Sequence, residues 1–441
     1  MPGRGGSGSG RGLNLLQVKE RMQPMATRPF KVNGRTYRPP ARPVVVICLD
    51  GSADEYLDAA LARGRMPHLQ RLSVRGYRGM ARGALPSFTN VNNASIVTGA
   101  PPSVHGICGN FFYDSATDRE VMMNDAGFLR CPTIFPAAAA AGRQVAVVTA
   151  KEKLLDIFAS GLIDRGGIAF SSEKADQARK GTHGIDRVEK LVGGSTPPIY
   201  SAEASLYVLQ AGVALLENGM ADFLYLSTTD YIQHKHGPGA AEALAFYAAI
   251  DRELGRLGDQ GAVLGVTADH GMNAKQKPDG SPNVIYLESL LTEKYGKGFR
   301  VILPITDPYV AHHGALGSFA VVHLPPGLSA RKKFNILHFL NHLAGVTEVY
   351  GRNAAEKLDL PADRLGDIVA LSGRDVVLGR TPEYHDLKAL EGGLRSHGGR
   401  YEEMVPFLLS QPLKPEYNAR AEADPRNFDI FDFTINGTAT E

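Results

Sequence analysis

Residues 43–51 read PVVVICLDG. Val44 to Leu49 is an unbroken apolar run rich in β-branched residues, opened by a proline and closed by Asp-Gly. A run this short and this apolar suits a strand buried on both faces, and such strands occur in parallel sheets covered by helices. The same texture returns at Val145–Thr149, Phe223–Ser227 and Val263–Thr267. Between these runs the apolar period lengthens. Leu57, Leu61, Leu69 and Leu72 predict one amphipathic helix or a pair over 56–76, and residues 202–216 and 240–257 predict further helices. Strands alternating with helices predict an α/β fold, a mostly parallel sheet sandwiched between helical layers.

Sheets of this kind bind ligands beyond the carboxyl ends of their strands. Asp50 directly follows VVVICL, Asp230 follows FLYLSTT, and Asp269 with His270 follows VLGVTA. Three acids in the same position after a strand are better explained by one shared site than by three independent helix caps. Asp230 and His234 are spaced i, i+4, which puts a carboxylate and an imidazole on one side of a helical turn, within reach of one ion. That pair alone is a weak signal, and the neighbouring acids give it weight. In LPSFTNVNNASIVTG, residues 85–99, Thr89 directly precedes a predicted helix. Threonine there can simply cap the helix. A helix start also presents backbone N–H groups to a phosphoryl group, and a coordinated metal can activate the hydroxyl. Lys151 and Lys153, in TAKEKL after the strand QVAVVTA, place two ammonium groups on one loop, which suits a ligand with two anionic groups. A solvated helix start is the plainer alternative for that segment.

With 441 residues, 43% of them hydrophobic and 21% charged, the chain can build one large α/β domain and a smaller accessory one. The 48 Lys and Arg nearly cancel the 46 Asp and Glu, so no overall field draws nucleic acid or an anionic membrane. Cys48, Cys108 and Cys131 are too few and too irregular for a disulfide framework or a sulfur-ligated zinc site, which fits a cytoplasmic protein. No apolar run approaches the roughly 20 residues of a membrane span. Residues 1–42, rich in Gly, Arg, Ser and Pro, are expected to form a flexible tail. Gly3 to Gly8 fits a GxGxxG pattern but neither follows a strand nor opens a helix. The catalytic core is assigned to 43–275 and 395–441. Residues 276–394, with extended stretches at 301–305 and Phe319–His323 and a helix at 333–343, are assigned to an inserted α+β cap. The run DIVAL, 367–371, fits either part. His312 and His313 fall in the cap, and His105 is expected to shape the loop near Thr89 by hydrogen bonding.

Taken together, VVVICLDG, PSFTNVNNASIVTG, TTDYIQH, TADHG and RSHGG resemble the alkaline phosphatase superfamily, in its phosphodiesterase and phosphonoacetate hydrolase branch, from about Val44 to beyond His397. The resemblance implies an alkaline-phosphatase-like fold and two Zn2+ ions. Asp50, Asp269, His270 and a nucleophilic Thr89 would hold one; Asp230, His234 and His397 would hold the other. It further implies that Asn110 in GNFFYD, Lys151 and Lys153 bind substrate together with Thr89 and His397. The reaction implied is cleavage of the C–P bond of phosphonoacetate to acetate and phosphate through a phosphothreonine. A metal-dependent phosphodiesterase or nucleotide pyrophosphatase would use the same metal-site residues and stands as the alternative, with a metal-stabilised binding protein second. A sulfatase is disfavoured, because Thr89 lacks a Cys/Ser-x-Pro-x-Arg setting. The expected partner is a small anionic phosphonate, with no nucleic acid and no membrane; a homodimer is compatible with this reading.

Overall fold

The computed structural model describes residues 28–199, 201–305, 316–351, 356–385, 387, 390 and 393–439. Val44–Cys48 lies in the middle of a seven-stranded sheet. The order is Tyr77–Arg82, Met404–Leu409, Val263–Thr267, Val44–Cys48, Phe223–Ser227, Val145–Thr149 and Ile168–Ser171. From Val263–Thr267 onward every neighbour is parallel, while Met404–Leu409 runs antiparallel to both of its neighbours. Cys48 lies opposite both Thr267 and Ser227, and Thr149 lies opposite Ser227. The carboxyl ends of four strands are therefore flush, and their loops leave from one edge.

Val44, Val46 and Cys48 face one apolar core while Val45, Ile47 and Leu49 face another. Burial on both sides is why the run is apolar at every position instead of every second one. The helices Asp54–Ala62, Pro67–Arg75, Ala202–Glu217 and Ala241–Asp259 cover one face. Thr89–Thr98, Ile134–Ala140 and the C-terminal helical turns from Ile430 cover the other.

The expected tail is folded over part of its length. Phe30–Val32 and Arg35–Tyr37 form an antiparallel hairpin, because Asn33-Gly34 adopts positive φ values of 49° and 77° and so supplies the tight turn such a hairpin needs. Its strands are anchored by Phe30, which stacks on Tyr37 at 5.2 Å and meets the edge of Phe223 at 6.4 Å. Asn33 adds hydrogen bonds to Thr98 O and Pro132 O.

Between the two ends of the insertion runs a four-stranded antiparallel sheet, Arg300–Ile302, Phe319–His323, Ile368–Ser372 and Val346–Gly351, backed by the helix Ala330–Asn341. DIVAL thus joins this smaller sheet. Asn273–Ala274 pairs with Arg395–Ser396, a short ribbon that returns the chain to the core and brings His397 back beside His270. His312 and His313 lie outside the described residues. Among the described residues no helix is long and apolar enough to cross a membrane.

Candidate metal centre and nucleophile

The flush strand ends bring four loops to one point. After Asp50 the chain turns at Gly51, whose φ of +69° is the left-handed conformation glycine adopts without strain. A Cβ there would lie 2.7 Å from Asp230 Cβ, so the glycine also lets the Asp50 and Asp230 loops approach. Asp230 stands at the N-cap of the short helix Tyr231–Lys235 but makes no capping hydrogen bond. Its carboxylate turns instead to His234, with Oδ2 2.9 Å from Nε2. Asp269 Oδ1 accepts from the backbone N–H groups of Gly51 and His270 at 3.1 and 3.0 Å. His270 Nε2 lies 3.2 Å from Asp50 Oδ1 and 3.7 Å from Asp269 Oδ2. His397 stacks flat on His270, with centroids 3.5 Å apart and planes within 5°, and its Nε2 is 3.9 Å from Asp230 Oδ2.

These side chains form two buried groups, Asp50–Asp269–His270 and Asp230–His234–His397, each with candidate ligand atoms within 4.8 Å of one another. Three observations fit a divalent cation at each. First, every one of the three imidazoles has Nδ1 on a backbone carbonyl: Arg395 O at 3.1 Å for His234, Gly271 O at 2.8 Å for His270, and Ser87 O at 2.7 Å for His397. A carbonyl only accepts, so each Nδ1 carries a proton and Nε2 is the nitrogen that could take a metal. Second, three buried carboxylates crowd one point, and the buried Lys151 ammonium donates to two of them, Asp50 Oδ2 at 2.8 Å and Asp230 Oδ1 at 3.0 Å. An excess of buried negative charge is costly unless it is offset. Third, Asp50 Oδ1 is buried with no hydrogen-bond partner among the described residues. Mixed imidazole and carboxylate ligands at strand ends are a donor set of the kind transition-metal hydrolases use.

The electrostatics record the same crowding. Burial and the adjacent Asp50 charge push the Asp269 carboxyl up to about 8. Burial opposes charge on His270, but Asp269 and Asp50 raise it to about 9. Burial likewise works against an ionised Asp230, yet the Lys151 ammonium and His234 hold its carboxyl well below the usual range. Burial, with His270 and His234 close by, keeps His397 far below the ordinary imidazole value.

Thr89 occupies the first turn of the helix Thr89–Thr98, with Phe88 as the N-cap residue, so its hydroxyl is not spent on capping. Its Oγ1 lies 3.3 Å from His270 Nε2. Asn110 is drawn to the same helix start, where its Oδ1 accepts from Asn90 N–H at 3.4 Å. Lys153 lies half-buried on the next turn, Glu152–Leu154. The Lys151 ammonium lies between the acids of the two groups. His105 is fully buried, accepting from Ile107 N–H at Nδ1 and contacting Ser95 Oγ through Nε2 at 2.8 Å, which pins the loop that follows the Thr89 helix. The sequence reading missed Thr228 and Asn93. Thr228 Oγ1 accepts from Asp50 N–H at 2.9 Å, and Asn93 Nδ2 donates to Asp269 Oδ2 at 3.0 Å. The only hint of the latter is its place one helical turn beyond Thr89, among the three asparagines of Thr89–Thr98.

Residues 44–400 match the family described as type I phosphodiesterase/nucleotide pyrophosphatase. The chain is 49% identical to a phosphonoacetate hydrolase from Sinorhizobium meliloti 1021 in complex with phosphonoformate, with a TM-score of 0.87 over 94% of this chain and 100% of that one. The phosphonoacetate complex of the same protein gives 48% identity and the same TM-score and coverage. Murine ectonucleotide pyrophosphatase/phosphodiesterase 5 shares the fold at 18% identity, with a TM-score of 0.58 over 91% of this chain and 96% of that one. Mouse ectonucleotide pyrophosphatase/phosphodiesterase family member 1 is 26% identical over 248 residues, 52% of this chain and 24% of that protein. The chain thus spans about a quarter of the length of the curated relatives it matches.

Proposed function

The chain belongs to the type I phosphodiesterase/nucleotide pyrophosphatase family, on its phosphonoacetate hydrolase branch, and from that premise we propose that it is a di-zinc hydrolase that cleaves the C–P bond of phosphonoacetate. The observation that carries the reading is the Thr89 hydroxyl, set at a helix start 3.3 Å from His270 Nε2 and beside two buried carboxylate–imidazole groups. Asp50, Asp269 and His270, with Thr89, would hold one Zn2+, and Asp230, His234 and His397 the other. Bound there, Zn2+ would stabilise charge on the phosphoryl oxygens and lower the pKa of the Thr89 hydroxyl.

The Thr89 hydroxyl gives up its proton to solvent and its oxygen attacks phosphorus; a P–O bond forms, and the P–C bond breaks with its electron pair on the departing carbon. That carbon passes its charge to the substrate carboxylate as an enolate, which Lys151 and Lys153 stabilise electrostatically until carbon takes a proton from solvent and leaves as acetate. The Asn110 amide orients the phosphoryl oxygens, and backbone N–H groups at the start of the Thr89 helix favour their negative charge. Water then hydrolyses the phosphothreonine, releasing phosphate and restoring Thr89. The support for phosphonoacetate over a diester is the pair of lysines on the loop after Val145–Thr149, together with the ligands held by the Sinorhizobium meliloti protein.

The test is phosphate release from phosphonoacetate beside hydrolysis of an aryl phosphodiester, using chelator-stripped protein with and without added zinc. Zinc-dependent release from phosphonoacetate with weak diester cleavage is expected. A strong preference for the diester would instead make the chain a phosphodiesterase, and bound zinc without turnover of either substrate would make it a binding protein.

A further inference from the structure

We infer that Asn93 is a positioning residue for the Thr89 nucleophile and the Asp269 ligand, the point through which the central sheet fixes both; this rests on the reading of the site given above. Asn93 lies one helical turn beyond Thr89 and is fully buried. Its Nδ2 donates to Thr89 O and to Asp269 Oδ2, each at 3.0 Å. Its Oδ1 accepts from Tyr225 OH at 2.7 Å and Ser227 OH at 3.0 Å. Four bonds exhaust what a primary amide can make.

The amide has only one workable orientation. The Thr89 carbonyl can only accept, so the NH2 end must face it, and the second N–H then meets Asp269 Oδ2 on the same side; turned over, the amide oxygen would meet the carbonyl oxygen. The hydroxyls of Tyr225 and Ser227 then donate to the oxygen. These two residues alternate along the strand Phe223–Ser227, which places both on the side of the sheet that the Thr89 helix covers. The Tyr225 ring is itself fixed against Phe158 at 5.5 Å and Phe135 at 5.9 Å. Rigid packing of the strand is thereby passed to the amide and from the amide to two functional groups.

For Asp269 the consequence is that both carboxylate oxygens are held, Oδ1 by Gly51 and His270 N–H groups and Oδ2 by Asn93. For Thr89 the bond to its carbonyl fixes the first turn of the helix and hence the point from which its side chain springs. Asn93 makes no bond to the Thr89 hydroxyl, so its action is through its neighbours.

The experiment titrates zinc into chelator-stripped protein by competition with a chromogenic chelator, without substrate, for wild type, Asn93→Ala and Tyr225→Phe. Asn93→Ala should weaken one of two zinc equivalents by roughly 10- to 100-fold, the usual consequence of removing a partner that orients a metal ligand. Tyr225→Phe, which deletes one oxygen and keeps the ring, should weaken the same equivalent about fivefold, the worth of one neutral hydrogen bond. With zinc saturating, kcat should fall while KM is unchanged. Wild-type zinc binding by both variants, with only the melting temperature lowered, would overturn the inference and leave Asn93 as a tie between helix and sheet. If Asn93→Ala does not fold, Tyr225→Phe decides alone. Because the titration needs no turnover, failure of wild type to hydrolyse phosphonoacetate would sink the proposed reaction without touching this result.

Discussion

Replacing Lys275 by methionine tests how the loop after His270 and the loop after His397 are held together. Lys275 is fully buried, and its Nζ donates to Glu402 Oε1 and to Arg374 O, both at 2.8 Å. Glu402 reaches both loops: its Oε2 accepts from Gly399 N–H at 3.1 Å, and its backbone oxygen accepts from Gly271 N–H at 2.8 Å. Asn273 Nδ2 donates to Oε1 at 2.6 Å. Burial pulls the Lys275 ammonium below its ordinary pKa, and the Glu402 charge works against that fall. Methionine keeps the apolar stem but leaves Glu402 buried without a counter-charge, which should cost about 3–5 kcal/mol. Unfolding entropy of about 2.1 cal/mol/K per residue over 441 residues gives about 0.9 kcal/mol/K, so Tm should fall by about 3–5 °C. The double variant Lys275→Met/Glu402→Gln removes the orphaned charge and should recover at least half of the loss. Urea denaturation and thermal melts of chelator-stripped protein measure both. A single variant that loses less than about 1 kcal/mol, or a double variant as unstable as the single one, would refute the reasoning.

Gly51→Ala puts a side chain into a left-handed backbone position and a Cβ 2.7 Å from Asp230 Cβ. The left-handed conformation alone should cost about 1–2 kcal/mol, and zinc affinity at the Asp230 group should fall more than at the Asp269 group; equal affinities at both would contradict this. Burial, with the Arg364 charge nearby, lowers His105 to about 3, so the folded state keeps it neutral while the unfolded chain takes up a proton below about 6.5. That contribution is present above pH 6.5 and lost as pH falls toward 3, at up to about 1.4 kcal/mol per pH unit. His105→Asn should therefore flatten the acid limb of the stability curve measured without metal; parallel limbs would count against the assignment. With Asp269 raised to about 8 and His270 to about 9, zinc must displace protons at neutral pH. Loading in weak buffer should release roughly one to two protons per chain, and affinity that does not rise between pH 7 and 9 would exclude this.

Much of the fold was legible because its central strands are buried on both faces and so read as solid apolar runs. Met404–Leu409 was not, since Pro406 sits inside it and a proline argues against a central strand. The hairpin at Phe30–Tyr37 was hidden by the glycine- and arginine-rich composition around it, although Asn33-Gly34 carried the turn signal. In the site, Asp50, Asp230 and Asp269 were visible by position after a strand, and His234 by helical spacing. Asn93 and Glu402 were not, because their roles come from partners distant in sequence: Asn93 meets Tyr225 across 132 residues and Glu402 meets Lys275 across 127. Lys151 was read from its loop as a ligand for substrate, and only the converging strand ends reveal that its ammonium also lies between Asp50 and Asp230.

The most direct test of a two-metal site built around Thr89 is phosphate release from phosphonoacetate as zinc is added stepwise to chelator-stripped protein, with Thr89→Ala run alongside. Activity that climbs until two zinc ions are bound per chain, and is absent from Thr89→Ala at every step, is the expected result. Full activity at one zinc per chain, or phosphate release by Thr89→Ala at the wild-type rate, would contradict it.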